Sequence, residues 1–253
     1  MKVSIVTICY NNELDIRHTI ESVINQTYHN IEYIIVDGNS KDSTLNIVNE
    51  YSGHISKIIS EPDNGLYDAI NKGIKIATGD IVGLIHAGDQ LFDYEVVSKI
   101  ATHFANNDID ISYGNSVIVN GRGKVKRVNK SPEFKKSLIN RGWMPSHQSI
   151  YVRRELFDKF GYYRVDIGYA SDYEWFLRYF LSNDAKIELL DEFILRFTLG
   201  GISSSNYSKM LKKDYKNQIN NCWILNDLTP PIGLIYLKWL QKPKQYIRAL
   251  FYK

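Results

Sequence analysis

Short apolar runs alternate with segments of helical period through the first half of the chain. Val3 to Cys9, Ile31 to Val36, Ile55 to Ile59 and Ile81 to Ile85 read as strands, because a continuous apolar run bounded by polar turns suits a strand covered on both faces. Helices fall between them: Leu14 to Ile24, Ser43 to Tyr51, and a third whose apolar face is marked by Leu66, Ala69, Ile70, Gly73, Ile74 and Ala77. This alternation predicts an α/β fold with a mostly parallel sheet and helices on both of its faces. From about Asp110 the pattern loosens into irregular strands, a polar loop rich in Gly, Asn and Lys at 120–130, an apolar strand from Ser149 to Val152, and one aromatic helix, Asp172 to Leu181. Beyond Ser208 an amphipathic helix carries Leu211, Tyr215, Ile219, Cys222 and Trp223; a Thr229-Pro230-Pro231 break separates it from 232–252. The expected organisation is a domain over 1–208 in two halves, 1–109 and 110–208, followed by a basic amphipathic helical extension at 209–253.

Composition changes this picture little. With 44% hydrophobic and 23% charged residues, the 253-residue chain has the makeup of an ordinary globular protein. Its 18 Tyr leave rings available for flat ligands such as bases and sugars. Cys9 and Cys222 suggest neither a disulfide framework nor a zinc spacing. With no signal-like start and no apolar stretch long enough to span a bilayer, the expected location is the cytoplasm. Charge is uneven: nine Lys/Arg face two acids over 209–253, while the rest is net negative.

In an open parallel sheet, ligands bind beyond the carboxyl ends of the strands, where loops and helix N-termini present backbone N–H groups. Four polar loops fall there: Thr7 to Asn12; Asp37-Gly38-Asn39-Ser40 with Lys41-Asp42-Ser43; Glu61-Pro62-Asp63-Asn64-Gly65 leading into Leu66 to Gly73; and His86-Ala87-Gly88-Asp89. Each has a plain structural reading as a turn or helix cap. Each also suits a ligand: an acid at a strand end can hold a ribose or base, a helix start with Asn71 or Lys72 can meet a diphosphate, and an aspartate past a buried strand can meet a divalent cation. In the second half, His147 and Gln148 precede a strand, and Ser171 with Glu174 matches a capping box around Asp172.

Taken together, Val3 to Asn12, Ile35-Val36-Asp37-Gly38-Asn39-Ser40 with Asp42-Ser43-Thr44, Asp63 to Gly73, and His86-Ala87-Gly88-Asp89 resemble the family 2 glycosyltransferases, over roughly residues 1–200. The resemblance implies a GT-A fold over 1–208, Rossmann-like, with 1–109 as its nucleotide-binding half and 110–208 as its acceptor half, followed by a C-terminal helical extension. It implies inverting, metal-dependent transfer of a sugar from a nucleotide-diphosphate donor, a UDP-sugar, to a saccharide or lipid-linked saccharide in surface polysaccharide synthesis. By the same resemblance Thr7 and Asp37 contact the nucleoside, Asp68 and Lys72 border the donor pocket, His147 joins that site, Asp89 binds Mn²⁺ or Mg²⁺, and Asp172 is the catalytic base. Arg178 would hold Asp172 or the helix cap, or lie at the surface. The sequence departs from the family at Gly38, where many relatives carry a second acid, and at Ala87-Gly88-Asp89, which has a single carboxylate.

The basic tail has two readings of equal weight: peripheral contact with the inner face of a membrane, or packing across the catalytic domain or a twin subunit. A nucleic-acid partner is not expected, since no binding motif accompanies the charge. The rival functions are a non-catalytic sugar-nucleotide binder and another α/β nucleotide enzyme, such as a nucleotidyltransferase or dehydrogenase. The chain lacks the G-x-G-x-x-G and G-x-x-x-x-G-K-[ST] loops of the latter class.

Overall fold

The computed structural model describes residues 1–200 and 213–252. Leu211, expected on the amphipathic helix, lies outside the described residues.

The apolar runs form the strands they predict. β1 (Val3–Cys9) pairs in parallel with β2 (Ile31–Asp37), which pairs with β3 (Lys57–Ser60); on its other side β1 pairs with β4 (Ile81–Leu84). Between them lie α1 (Ile16–Ile24), α2 (Thr44–Glu50) and α3 (Leu66–Ile76). Residues alternate across the sheet: Val6 and Ile8 of β1 join the core beneath α3, whereas Val3, Ile5 and Cys9 join the core beneath α1. Gly73 lets α3 close on the sheet, since a Cβ there would collide with Val6.

β5 (Gln90–Leu91) and α4 (Val96–Asn106) lead into a second half more regular than its sequence suggests. β6 (Ile111–Val119) is buried along its whole length and β9 (Ile187–Thr198) runs parallel to it. β7 (Val125–Asn129) and β8 (Ile150–Arg153) both pair antiparallel to β6, and β8 also joins β4. The result is one sheet in the order β3-β2-β1-β4-β8-β6-β9-β5, with β7 on β6; it is parallel over its first four strands and mixed beyond. β9 is hard to see in the sequence because Glu188, Asp191 and Glu192 interrupt its apolar pattern, and register shifts break its pairing.

α5 (Lys136–Ile139), α6 (Glu155–Phe160) and α7 (Ser171–Phe180) cover the second half, and α8 (Lys213–Ile224), α9 (Leu234–Leu240) and α10 (Lys242–Leu250) follow. Much of the aromatic content is spent inside: Tyr173, Trp175, Phe176, Tyr179 and Phe180 of α7 are all buried, and Trp175 stacks on Tyr163 at 5.0 Å. α8 closes this core with Ile219, Cys222 and Trp223, whose indole N–H donates to the Tyr173 hydroxyl at 3.1 Å. Both cysteines are free and buried, and burial pushes the Cys222 thiol up to about 12.

The capping box expected at α7 does not form. The Ser171 hydroxyl donates to the Arg164 carbonyl, and Glu174 is buried in a paired contact with Arg178, both N–O distances being 2.9 Å. Arg178 also donates to the carbonyls of Phe160, Gly161 and Tyr162, so it latches that turn to α7 rather than holding Asp172. A buried carboxylate needs a cation more than a helix start needs a cap, and this decides the partner.

Candidate functional site

The carboxyl ends of β1, β2 and β4 open into a cleft of about 760 Å³. Its rim is set by two asparagines in left-handed conformation, Asn11 (φ 48°) and Asn39 (φ 66°), a region asparagine tolerates better than most residues. Asn11 uses the turn to receive the Lys41 N–H on its side chain at 2.8 Å, while its own N–H donates to the Ser40 hydroxyl at 2.8 Å. The two strand ends are thereby tied together around the opening. At Gly38 the absence of a side chain makes room for a different acid: a Cβ there would collide with the Asp63 carboxylate, which lines the cleft beside Tyr10 and Asn39.

Four of the residues expected in the donor pocket support it instead of lining it. Thr7 and Asp37 are fully buried. The Thr7 hydroxyl pairs with Tyr33 at 3.1 Å, and the Asp37 carboxylate accepts from the Ser40 hydroxyl and from Ser60 at 2.7 Å. With every oxygen turned to the protein, Asp37 shapes the β2 turn from below. Asp68 accepts the Asn64 N–H at 3.0 Å, and Lys72 donates to the Pro62 carbonyl at 2.8 Å while pairing with Glu61 at 2.9 Å. Both brace the loop that carries Asp63. Burial engages Thr7 and Asp37, and loop contacts engage the partly exposed Asp68 and Lys72; none of the four is among the residues lining the cleft.

The opposite wall of the site is a chain of side chains from four elements. Gln148 fixes it: its carbonyl accepts the His86 N–H at 2.6 Å and its amide donates to Asp89 at 2.6 Å. Asp89 also accepts the Thr198 N–H at 2.8 Å from the end of β9. The His86 and His147 rings meet Nε2 to Nε2 at 2.8 Å, a contact that holds one shared proton, and His147 Nδ1 lies 3.9 Å from Asp172 at the start of α7. Burial lowers both histidines, His86 well below the usual imidazole range, so the pair is neutral near pH 7. His147 is lowered less decisively, because the Asp172 carboxylate opposes the shift.

The two rings form a partition. His86 faces the first cleft, whereas His147 and Asp172 face a second cleft of about 370 Å³, walled by Tyr215 of α8, Lys238 and Trp239 of α9, and Arg127 of β7. Asp172 and His147 therefore come together at the second cleft, whereas Asp89 is buried, lines neither cleft and is joined to this wall through Gln148. The sequence named His86, Asp63 and Gln148 only as members of motif loops and Lys238 only as one cation of the basic tail, and gave none of the four a role of its own. The signal for Gln148 was its place beside His147 before a buried strand; Lys238 carried no local signal.

A divalent cation can be tested against these side chains. Among the described residues no cluster of His, Cys, Asp and Glu side chains forms a ready metal site. Asp89 supplies one carboxylate, which fits a cation that completes its shell from phosphate and water oxygens. Burial pushes the Asp89 carboxyl up to about 7 although Gln148 and the Thr198 N–H both donate to it, so the protein compensates its charge only in part and a cation would favour the carboxylate. His86 Nδ1 is likewise buried with no hydrogen-bond partner, leaving one further polar atom at this spot to be satisfied.

Residues 4–165 match the model of "Glycosyl transferase family 2". A PGL/p-HBAD biosynthesis glycosyltransferase of Mycobacterium bovis is 29% identical over 172 residues, covering 66% of this chain and 65% of that protein, so the chain spans just under two thirds of this relative's length. A glycosyltransferase of Mycobacterium tuberculosis is 32% identical over 183 residues, 70% of this chain and 68% of its own. In fold the chain is similar to Staphylococcus aureus TarS 1-349 solved in complex with UDP (TM-score 0.67, 22% identity, 88% of this chain and 70% of that one). It is also similar to a mannosyltransferase of Pyrobaculum calidifontis in complex with GDP-Man and Mn²⁺ (TM-score 0.66, 15% identity, 98% of this chain and 69% of that one).

Proposed function

The chain belongs to glycosyl transferase family 2, and from that premise we propose that it performs an inverting, metal-dependent sugar transfer from a UDP-sugar to a saccharide or lipid-linked saccharide acceptor. The observation that carries this reading is the pair of clefts meeting at His86 and His147, with Asp89 behind the partition and Asp172 on its far side. The nucleoside end of the donor lies in the larger cleft, against Tyr10, Asn39 and Asp63, while Thr7, Asp37, Asp68 and Lys72 hold the surrounding loops in shape.

The acceptor enters from the second cleft. Asp172 removes the proton of its hydroxyl as that oxygen bonds to the anomeric carbon; the bond from that carbon to the diphosphate breaks, and its electron pair leaves on the diphosphate oxygen. Attack opposite the leaving group converts an α-linked donor into a β-linked product. His147 keeps the Asp172 carboxylate turned to the cleft. Asp89 would hold a divalent cation with the donor diphosphate, and such a cation neutralises the negative charge that accumulates there. The product on this reading belongs to a bacterial surface polysaccharide such as O-antigen, capsule or exopolysaccharide; the relative named for PGL/p-HBAD biosynthesis supports a biosynthetic glycosyltransferase role and no particular product.

The test is nucleotide release from a panel of UDP- and GDP-sugars with Mn²⁺, alongside calorimetric UDP binding. One UDP-sugar should be turned over, and Asp172→Asn should cut turnover by roughly 10²–10⁴-fold while UDP affinity stays within about twofold. Turnover that survives in Asp172→Asn removes Asp172 from the role of base; UDP that fails to bind the wild-type chain sinks the donor assignment.

A further inference from the structure

Lys238 brings to the second cleft a cation whose hydrogen bonds no protein group takes up. It is carried by α9, beyond the residues that match the family model, and it lines the cleft together with His147 and Asp172. Its place is fixed by packing. α9 is held against the 142 turn, where a Cβ on Gly142 would collide with the Lys238 stem, and Gln241 just past the helix donates to the Arg141 carbonyl at 2.7 Å. The ammonium lies 4.0 Å from the centre of the Tyr173 ring, and Tyr173 follows Asp172 at the start of α7. A ring face attracts a cation without offering the lone pairs that its N–H groups can use. Among the described residues Lys238 makes no ion pair and no hydrogen bond, so its N–H donors stay available beside Asp172.

We propose that Lys238 and Asp172 hold the attacking oxygen between them: the Lys238 ammonium donates to one of its lone pairs, Asp172 takes its proton, and the other lone pair is left aimed at the anomeric carbon. The proposal rests on the reading of Asp172 as the base and adds the group that orients the nucleophile. A hydroxyl oxygen has one proton and two lone pairs, so a base alone leaves it free to turn about the line of its O–H bond. A cation on the second side removes that freedom and brings one lone pair into line with the bond that breaks. The proton still goes to Asp172, the new bond runs from the oxygen to the anomeric carbon, and Lys238 keeps every proton it had. The arrangement requires that the two side chains not be tied to each other. Asp172 instead accepts the Tyr173 N–H at 2.7 Å and lies 3.9 Å from His147, and no ion pair joins it to Lys238.

The role depends on charge, and the surroundings make that charge sensitive to pH. Facing Lys238 are Asp172 and Tyr173 from α7, Tyr215 and Cys222 from α8, His147, and Arg127 and Lys242 on the remaining wall. Burial lowers Lys238 to about 8, and the Asp172 carboxylate opposes the shift. Burial also keeps His147 neutral and the Cys222 thiol and both phenols protonated in this range. Lys242 is lowered to about 8 as well, by burial and by the Arg127 charge, so a variant at position 238 is needed to tell the two lysines apart.

The experiment measures UDP release from the UDP-sugar that is turned over, between about pH 6.5 and pH 9, alongside calorimetric UDP binding by the full chain. Lys238→Met keeps the apolar stem and removes the charge; it should cut turnover by about tenfold or more with UDP affinity within about twofold, the loss expected for one charge-assisted hydrogen bond. Wild-type turnover should fall as pH rises through about 8, and Lys238→Arg, whose guanidinium stays charged, should keep the turnover and lose the fall. A second measurement needs no turnover: trace acetylation of Lys238 by acetic anhydride as a function of pH. Because the Asp172 charge favours the ammonium, the midpoint should drop in Asp172→Asn. The proposal is overturned if Lys238→Met turns over as wild type does, even with a lowered Tm, since Lys238 then only packs on Tyr173. It is equally overturned if Lys238→Arg is as slow as Lys238→Met, if the alkaline fall persists in Lys238→Arg, or if the acetylation midpoint is the same in Asp172→Asn. Failure of the base assignment reads out separately, as turnover surviving in Asp172→Asn while Lys238→Met is slow.

Discussion

Asp89 shows how burial sets the behaviour of a single side chain. An exposed aspartate titrates near 4, whereas burial raises this one to about 7 despite the donors from Gln148 and Thr198. Because the folded state holds the proton more tightly than the unfolded chain, the ligand-free protein loses stability as pH rises from about 4 to about 7, and the loss is complete above that window. Thermal unfolding across this range should show the slope in wild type and not in Asp89→Ala; parallel curves would remove the buried carboxyl from the explanation. Cation binding needs the carboxylate, so Mn²⁺ affinity should fall by about tenfold per pH unit below 7. Gly38 makes the complementary point about space. Gly38→Ala pushes Asp63 out of its position, and UDP affinity measured by calorimetry should drop about tenfold with little change in Tm, since the residue lies at a cleft rim. Unchanged affinity would mean that Asp63 does not meet the nucleotide.

Among elements, α3 and α7 are fixed to the fold by polar side chains rather than by apolar fit alone. Asn71 of α3 donates to the Tyr163 carbonyl at 2.7 Å and accepts its N–H at 3.0 Å, binding the β3–α3 region to the turn before α7. Asn71→Ala strands two buried backbone groups and should cost about 2–4 kcal/mol in urea unfolding. Arg178→Ala leaves Glu174 buried without its cation and should cost about 3–5 kcal/mol. A loss below about 0.5 kcal/mol in either case would show that water replaces the side chain without penalty. The short parallel strands and their helices were readable from periodicity, because both faces of those strands are apolar. The long β9 was not, because its partly exposed face carries acids that mimic a loop.

For the molecule as a whole, the C-terminal segment packs its inner side on the domain, the second of the two readings of its amphipathic pattern. α8 packs into the core, and α10 meets β7 through Ala249 and the following Tyr252, so the inner side belongs to the protein. The outer side leaves Ile232, Leu240, Leu250 and Phe251 exposed beside Lys244 and Arg248. No helix among the described residues is long and apolar enough to cross a membrane. We propose that this outer side lies on one, with the cations near the headgroups. Leu240→Asp with Leu250→Asp should therefore reduce co-sedimentation with phosphatidylglycerol vesicles several-fold while leaving Tm unchanged, both positions being exposed. Equal sedimentation of wild type and variant would refute a membrane role for this face.

Sequence alone determined the order of strands and helices in the nucleotide-type half and the family motifs that brought Asp89, His147 and Asp172 to notice, because periodicity and short motifs are properties of neighbouring residues. It could not say which polar residues keep a surface toward the ligand. Thr7 and Asp37 turn inward because nearby donors and acceptors claim them, Asp68 and Lys72 are held in partly exposed contacts with the 61–64 loop, and Asp63 gains its place because Gly38 leaves room. Lys238, about a hundred positions from its wall partner Arg127, enters the second cleft only once α9 folds back on the 142 turn. Such meetings depend on packing between distant segments, where burial and competition for hydrogen bonds decide what local pattern leaves open.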